Sequence, residues 1–294
     1  MIEFKTYHPI VNFTYFVFVI GFSMFFMHPV CLCMSLICGF TCLMMLKGKK
    51  GIKSLAYILP VLITAAIMNP AFNHAGVTVL GYLPSGNPLT LESIMYGLAA
   101  GAMLASVICW FSCYSEVMTS DKFIYLFGKI IPSLSLMLSM TLRFVPKFSA
   151  QLKTVANAQK CISRDTSDGS VVRRAKHGLT ILSAMVTWSL ENAIETADSM
   201  KSRGYGLPGR TAFSIFTFDK RDRNALLFIL VSGIYIIIGS VAGSISFRYF
   251  PSVKTGGFSP YGISVFFVYF LLCICPVIIE LWEVRKWKVL RSKI

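Results

Sequence analysis

ENAIETADSMKSRGYGLPGR, residues 191–210, reads as the end of one long helix and its closure. Followed backwards, the helical pattern reaches Leu179. Glu191, Glu195 and Asp198 share one face. Ser189, Ala193 and Ala197 recur at i, i+4 and i+8, a strip of small side chains that lets another helix backbone come close. Gly204 suits the left-handed conformation that terminates helices, and Pro208 cannot continue one. Ser202 and Arg203 therefore fall in the last turn, with the guanidinium directed outward.

A second helix of the same kind is expected just before it, from about Lys147 to Arg164. Phe148, Leu152, Val155 and Ile162 repeat at helical spacing, with Lys153, Asn157, Lys160 and Arg164 on the other face. The turn residues Asp165 to Gly169 close it, and the next helix begins after Arg173, Arg174 and Lys176. Two helices thus end in similar tripeptides, Ser163-Arg164-Asp165 and Ser202-Arg203-Gly204. A single arginine at a helix C-terminus needs no more than the macrodipole to explain it, worth about 0.3–1 kcal/mol. Two in one segment, each followed by turn residues, point to recognition of a partner. Arginine suits that role because its planar, permanently charged head grips a carboxylate through two parallel hydrogen bonds.

These helices stand in a chain of a different character. Of its 294 residues, 55% are hydrophobic and 14% charged, and the mean hydropathy is +0.67. Soluble domains carry charge on about a quarter of their residues, so the fold class expected is an all-α integral membrane protein. Apolar runs of spanning length lie at roughly 10–27, 30–46, 54–72, 91–112, 225–246 and 260–282, which gives six spans. Lys5 and His8 before the first run resemble a signal peptide, but no small-residue cleavage site follows, and the run is read as a retained span.

With the N-terminus in the cytoplasm, all but Arg248 and Lys254 of the 28 lysines and arginines fall on one side. The positive-inside rule then makes this a multi-pass protein of the cell membrane with both termini cytoplasmic. The net charge of +15 is accounted for by those loops, and no nucleic acid partner is implied. Three parts follow: N-terminal transmembrane helices over 1–112, a cytoplasmic or interfacial segment over 113–224, and C-terminal helices with a basic tail over 225–294. The middle part is too amphipathic to stand alone and needs the lipid bilayer or a partner to cover its apolar faces. Its opening, DKFIYLFGKIIPSLSLMLSMTLRFVPKF, is expected to lie in or dip into the cytoplasmic leaflet, broken at Pro132 and Pro146. Arg143 within it either braces carbonyls freed near Pro146 or reaches lipid phosphate. Asn69 and Pro70 are read as the stop of the third span.

Chemistry is poorly represented. The cysteines sit mostly in apolar runs without histidine or carboxylate at ligand spacing, so no metal is expected. GKKGIKS at 48–54 has the residues of a phosphate loop but not its spacing. The four histidines form no paired helical motif. No cofactor and no catalytic residue is assigned. A membrane-embedded secondary transporter or enzyme using Arg143, Asp165 and the histidines is the competing reading. It lacks the mid-depth ionisable residues and paired repeats expected of a transporter.

NPAFNHAGVT after the third span, LRFVPKF at 142–148, ISRD at 162–165, ENAIETADSMKSRGYG at 191–206 and the closing LPGRT with FTFDKRD together resemble the T component of energy-coupling factor (ECF) transporters, the CbiQ-like transmembrane family. Asp165 departs from the glycine more usual after the first arginine. The resemblance implies a non-catalytic subunit between two ABC-type ATPase subunits, which bind and hydrolyse the ATP, and a substrate-binding membrane S component for vitamin or metal-ion uptake. It implies further that Arg164 and Arg203, flanked by Ser163, Asp165, Ser202 and Gly204, dock in the ATPases. Arg143, Pro146, Ser189, Ala193 and Ala197 are expected to support that coupling.

Overall fold

The computed structural model describes residues 3–82, 87–128, 131–162, 170–208, 216–255 and 259–291. The chain divides into two compact units, Met1–Phe123 with Phe216–Ile294, and Ile124–Ile215. The first holds α1 (Pro9–Phe25), α2 (Pro29–Lys47), α3 (Lys49–Phe72), α4 (Leu91–Val117), α8 (Lys220–Val241) and α9 (Pro260–Arg291), with a 3₁₀ turn at Glu3–Thr6. Two small antiparallel hairpins decorate it: β1 (Val79–Tyr82) with β2 (Pro88–Thr90), and β3 (Phe247–Arg248) with β4 (Lys254–Thr255). The short helix α5 (Ser120–Gly128) crosses the boundary between units. The second unit is built on α6 (Pro132–Cys161) and α7 (Val171–Ser202).

The all-α integral membrane architecture expected from composition is borne out, with a helix at each of the six apolar runs. Five of them, α2, α3, α4, α8 and α9, contain stretches long and apolar enough to cross a bilayer. The sixth, α1, has 17 residues, about 26 Å of helix against a hydrocarbon core of ~30 Å. Both α1 and α2 begin at a His-Pro pair. Proline at the first helical position lacks only a donor that would be orphaned there, and the histidine Nδ1 accepts an amide two residues on, in His8–Ile10 and His28–Val30, each at 3.3 Å.

The core of this unit is a mesh of α1, α2, α4, α8 and α9. Val11, Tyr15 and Val19 repeat every four residues on α1 and are fully buried. Tyr15 donates its hydroxyl to the Cys273 carbonyl on α9 at 3.1 Å. Trp110 on α4 is fully buried and donates its indole N–H to Ser35 Oγ on α2 at 2.9 Å; Ser35 in turn meets Ser23 of α1 at 2.6 Å. These bonds satisfy the polar atoms that three helices would otherwise strand in an apolar interior. Helices α3 and α4 approach closely at Gly97 and Gly101. A Cβ there would stand 2.8 Å from the carbonyl oxygens of Ala66 and Leu62 respectively, so only glycine allows the contact.

The helix ends define two faces. Glu116, at the end of α4, pairs with Lys5 at 3.6 Å and with Lys47, at the end of α2, at 3.8 Å. At the opposite end of the unit Tyr249 donates its hydroxyl to the Met27 carbonyl at 2.7 Å, and its ring meets Tyr96. Arg248 and Lys254 pair across β3 and β4 beside Tyr249, on the face away from Lys5 and Lys47, as the charge distribution requires.

Three expected boundaries are corrected. The third helix does not stop at Asn69 and Pro70 but runs to Phe72, with Pro70 packed close to α4, where a Cβ on Gly97 would lie 3.3 Å from Pro70 Cδ. Pro146 does not break α6, which runs through it from Pro132. Phe148, just beyond the proline, packs on Trp188 of α7 with ring centroids 5.3 Å apart, and Lys147 donates to Asn192 Oδ1 at 2.7 Å. Contacts beside the proline support the continued helix although the Leu142 carbonyl loses its usual amide partner. Finally, α7 begins at Val171, eight residues before Leu179, so Arg173, Arg174 and Lys176 lie inside its opening turns.

Candidate functional site

The second unit is a pair of antiparallel helices. Phe148 of α6 meets Trp188 of α7, while earlier residues of α6, Met140 and Arg143, line a cleft with later residues of α7, Ser199 and Arg203. At 1.5 Å per residue, the stretches from Phe148 to Cys161 and from Trp188 to Ser202 are each roughly 20 Å long. The C-terminal ends of the two helices therefore point in opposite directions, up to roughly 40 Å apart along the pair.

One of those ends can be followed atom by atom. Arg203 is the C-cap of α7, its N–H shared between the carbonyls of Ser199 at 3.3 Å and Met200 at 3.2 Å. Gly204 takes φ +77°. The Gly204 N–H reaches the Lys201 carbonyl and the Tyr205 N–H the Met200 carbonyl, both at 3.0 Å. This pair of bonds is the Schellman closure, so the left-handed glycine expected at 204 is present. Ser202 donates its hydroxyl to the same Ser199 carbonyl at 2.9 Å. Arg203 itself is exposed, and the helix dipole places partial negative charge beneath it.

Beside Arg203 lies an open cleft of about 450 Å³ between α6 and α7. Met140, Phe144 and Met200 supply its apolar walls, and Arg143, Lys147, Arg203 and Glu195 its charges. Lys147 is anchored, bonded to Asn192 and lying 5.5 Å over the Trp188 ring. Arg143 is exposed on α6, outside the candidate spans, one helical turn from Pro146. The structure brings Arg143 and Arg203 to one cleft, a proximity that sequence spacing did not suggest.

The other expected site residues are distributed differently. Ser163, Arg164 and Asp165 lie outside the described residues. Of the small strip on α7, Ala193 and Ala197 are exposed and Ser189 half-buried. Trp188 and Asn192 meet α6 instead, and Ile181 and Met185, at helical spacing with them, are buried. The strip is therefore open to a further helix. Leu182, Val186, Leu190 and Ile194, at successive i+4 steps on α7, are also exposed.

Two features escaped the sequence reading. Gly97 and Gly101 form a GxxxG spacing in an apolar run, a signal for close helix packing that was available. FTFDKRD ends in an acidic pair with the spacing of a capping box. Asp219 caps α8, and Asp222 Oδ2 accepts the Asp219 N–H at 3.1 Å.

The architecture defines an integral membrane protein of six apolar helices that carries, as a separate unit, a pair of long helices, α7 ending in an exposed arginine at a hydrogen-bonded backbone closure. No protein-family model matches the chain. Among curated proteins it is similar to the energy-coupling factor transporter transmembrane protein EcfT of Lactobacillus helveticus, 37% identical over 109 residues, 36% of this chain and 39% of that protein. EcfT of Lactococcus lactis is 32% identical over 111 residues, 37% of this chain and 42% of the relative. A longer match, 25% identical over 205 residues, covers 64% of this chain and 74% of EcfT 1 of Listeria monocytogenes. The first two matches span about two fifths of the length of the relatives concerned. The resemblance to ECF T components read from the motifs is thus supported by relatives of that name in several species.

Proposed function

We propose that this protein is the energy-coupling transmembrane subunit of an ECF-type importer, carrying motion from two ATP-hydrolysing subunits to a substrate-binding membrane partner that takes up a vitamin or metal ion. It performs no chemistry of its own. The observation that carries the reading is Arg203, an exposed cation on the locked end of a 32-residue helix, in a chain similar to EcfT proteins. Arg203 enters a groove on one ATPase and pairs with carboxylates there, and Arg164 does the same on the other. The antiparallel arrangement of α6 and α7 supports two separate docking points. ATP-driven approach of the ATPases then moves the two helices, and the exposed apolar row from Leu182 to Ile194 bears on the substrate-binding partner. The basic face of the membrane unit, with Lys5 and Lys47, is the cytoplasmic one.

The decisive measurement is capture of the ATPases by the tagged chain. Truncating one partner of a buried interfacial charge pair costs about 2–5 kcal/mol, so Arg203→Glu should abolish capture. A basic residue in place of a groove carboxylate should restore part of it. Undiminished capture by Arg203→Glu, or solute movement by the purified chain alone along an ion gradient, would defeat the reading.

A further inference from the structure

Four consecutive residues near the start of the chain hold both points at which residues 124–215 leave and rejoin the membrane unit. On the leaving side, the buried Lys122 donates its ammonium to the Lys5 carbonyl. On the returning side, Arg221 donates Nη2 to Thr6 Oγ1 at 3.1 Å and lies 4.4 Å over the Tyr7 ring. The next residue, Asp222, accepts the His8 N–H at 3.0 Å through Oδ1, while its Oδ2 holds the start of α8 through the Asp219 N–H. Asp222 is 2% exposed, so these bonds form where water competes poorly and their loss is felt. The Lys5 side chain is itself tied to Glu116 at the end of α4.

Residues 122 and 222 are thus tied to positions three steps apart, no more than roughly 11 Å of chain. We infer that Lys5–His8 are a shared foot for the coupling unit and that Lys122, Arg221 and Asp222 are positioning residues for force transfer. This inference rests on the coupling function proposed above. Two chain ends held separately would let a pull on α6 or α7 splay them, and the displacement would be lost in the connections. Ends fixed to one four-residue stretch turn the same pull into motion about a single point. That point lies at the base of α1, whose first turn is also capped by His8.

The test uses the complete transporter complex in vesicles, with uptake and ATP hydrolysis measured together and hydrogen exchange followed at His8. Asp222→Ala should speed exchange at the His8 amide, leave ATP turnover in place and reduce substrate moved per ATP several-fold. Asp222→Asn, which keeps one carbonyl acceptor, should fall between. Asp219→Ala is the control: it weakens the cap of α8 without touching residues 5–8, and should lower thermal stability while uptake per ATP stays at the wild-type value. Wild-type uptake per ATP in Asp222→Ala, or an equal loss in Asp219→Ala, would overturn the positioning role. A wild-type complex without ATP-driven uptake would instead overturn the coupling function and the role together, and unchanged His8 exchange in Asp222→Ala would overturn the foot itself.

Discussion

Replacing Gly204 by alanine isolates the geometry of the arginine tip from its charge. Gly204 sits at φ +77°, and a Cβ there would meet Leu207 Cδ1 at 3.2 Å, a contact the leucine side chain can relieve by turning. The backbone cannot relieve the rest: an L-residue in the left-handed region costs roughly 1–2 kcal/mol. That cost opposes the two closing hydrogen bonds, from Tyr205 to Met200 and from Gly204 to Lys201, each worth about 0.5–1.5 kcal/mol net. The closure is therefore close to balance in the variant, and the last turn frays for much of the time. Because apparent affinity scales with the fraction of molecules in the competent form, a closure near balance predicts about two-fold weaker capture of the ATPases, rising to about five-fold where the closing bonds together are worth only ~1 kcal/mol and the penalty is ~2 kcal/mol. Arg203 and every other side chain are untouched. The assay is a titration of detergent-solubilised protein against the ATPases, with Gly206→Ala alongside. Gly206 also has positive φ, +96°, but contributes no bond to the closure, so its replacement should weaken capture less. Binding by Gly204→Ala equal to wild type, or no weaker than that of Gly206→Ala, would show that the partner does not depend on a closed helix tip.

Other consequences concern the membrane unit. Gly101→Leu would drive a side chain into the Leu62 carbonyl region of α3 and should cost about 1–3 kcal/mol, read as a lowered melting temperature in detergent, with Ala105→Gly on the same helix losing less. Ser35→Ala leaves the buried Trp110 N–H without its acceptor and should cost about 1–3 kcal/mol, seen as faster hydrogen exchange in α2 and α4. Burial, and then the neighbouring Lys5 charge, lowers the Lys122 ammonium from its ordinary value to about 8. Between pH 8 and the ordinary lysine range the unfolded chain holds a proton that the folded one has released, so stability should rise with pH across that window; in Lys122→Met, denaturation followed at those pH values should lose that rise.

What the sequence made legible was local. Gly204 and Pro208 announced the end of α7 because a left-handed glycine and a missing amide act within one turn, and the six apolar runs announced their helices because hydropathy is a property of the run itself. The misreadings arose where distant contacts decide. Pro146 looks like a break until Trp188 and Asn192 are known to hold the residues beside it. Arg173, Arg174 and Lys176 looked like a connector because cations in a first turn oppose the helix dipole, yet the helix extends over them. The foot at Lys5–His8 depends on partners more than a hundred residues away, and neither Lys122 nor Asp222 carries a local mark of its role. Asp222 is half of a spacing pattern that signals a cap, but the pattern says nothing of His8.

The opposed direction of the two helix ends is nonetheless fixed by chain length alone. Between Cys161 at the end of α6 and Val171 at the start of α7 there are residues 162–170, which fully extended reach about 30 Å. A parallel pair would need that connector to travel back along α6, 30 residues long and therefore roughly 45 Å. Only the antiparallel return is within reach, whatever conformation the connector takes. Two helices so arranged place their C-terminal carbonyls at opposite ends of the pair, and each end carries about half a negative charge. A cation at either end is stabilised by its own helix but separated from the other by several Debye lengths at physiological salt, ~8 Å each. The ends are thus electrostatically independent. A single small partner could not grip both.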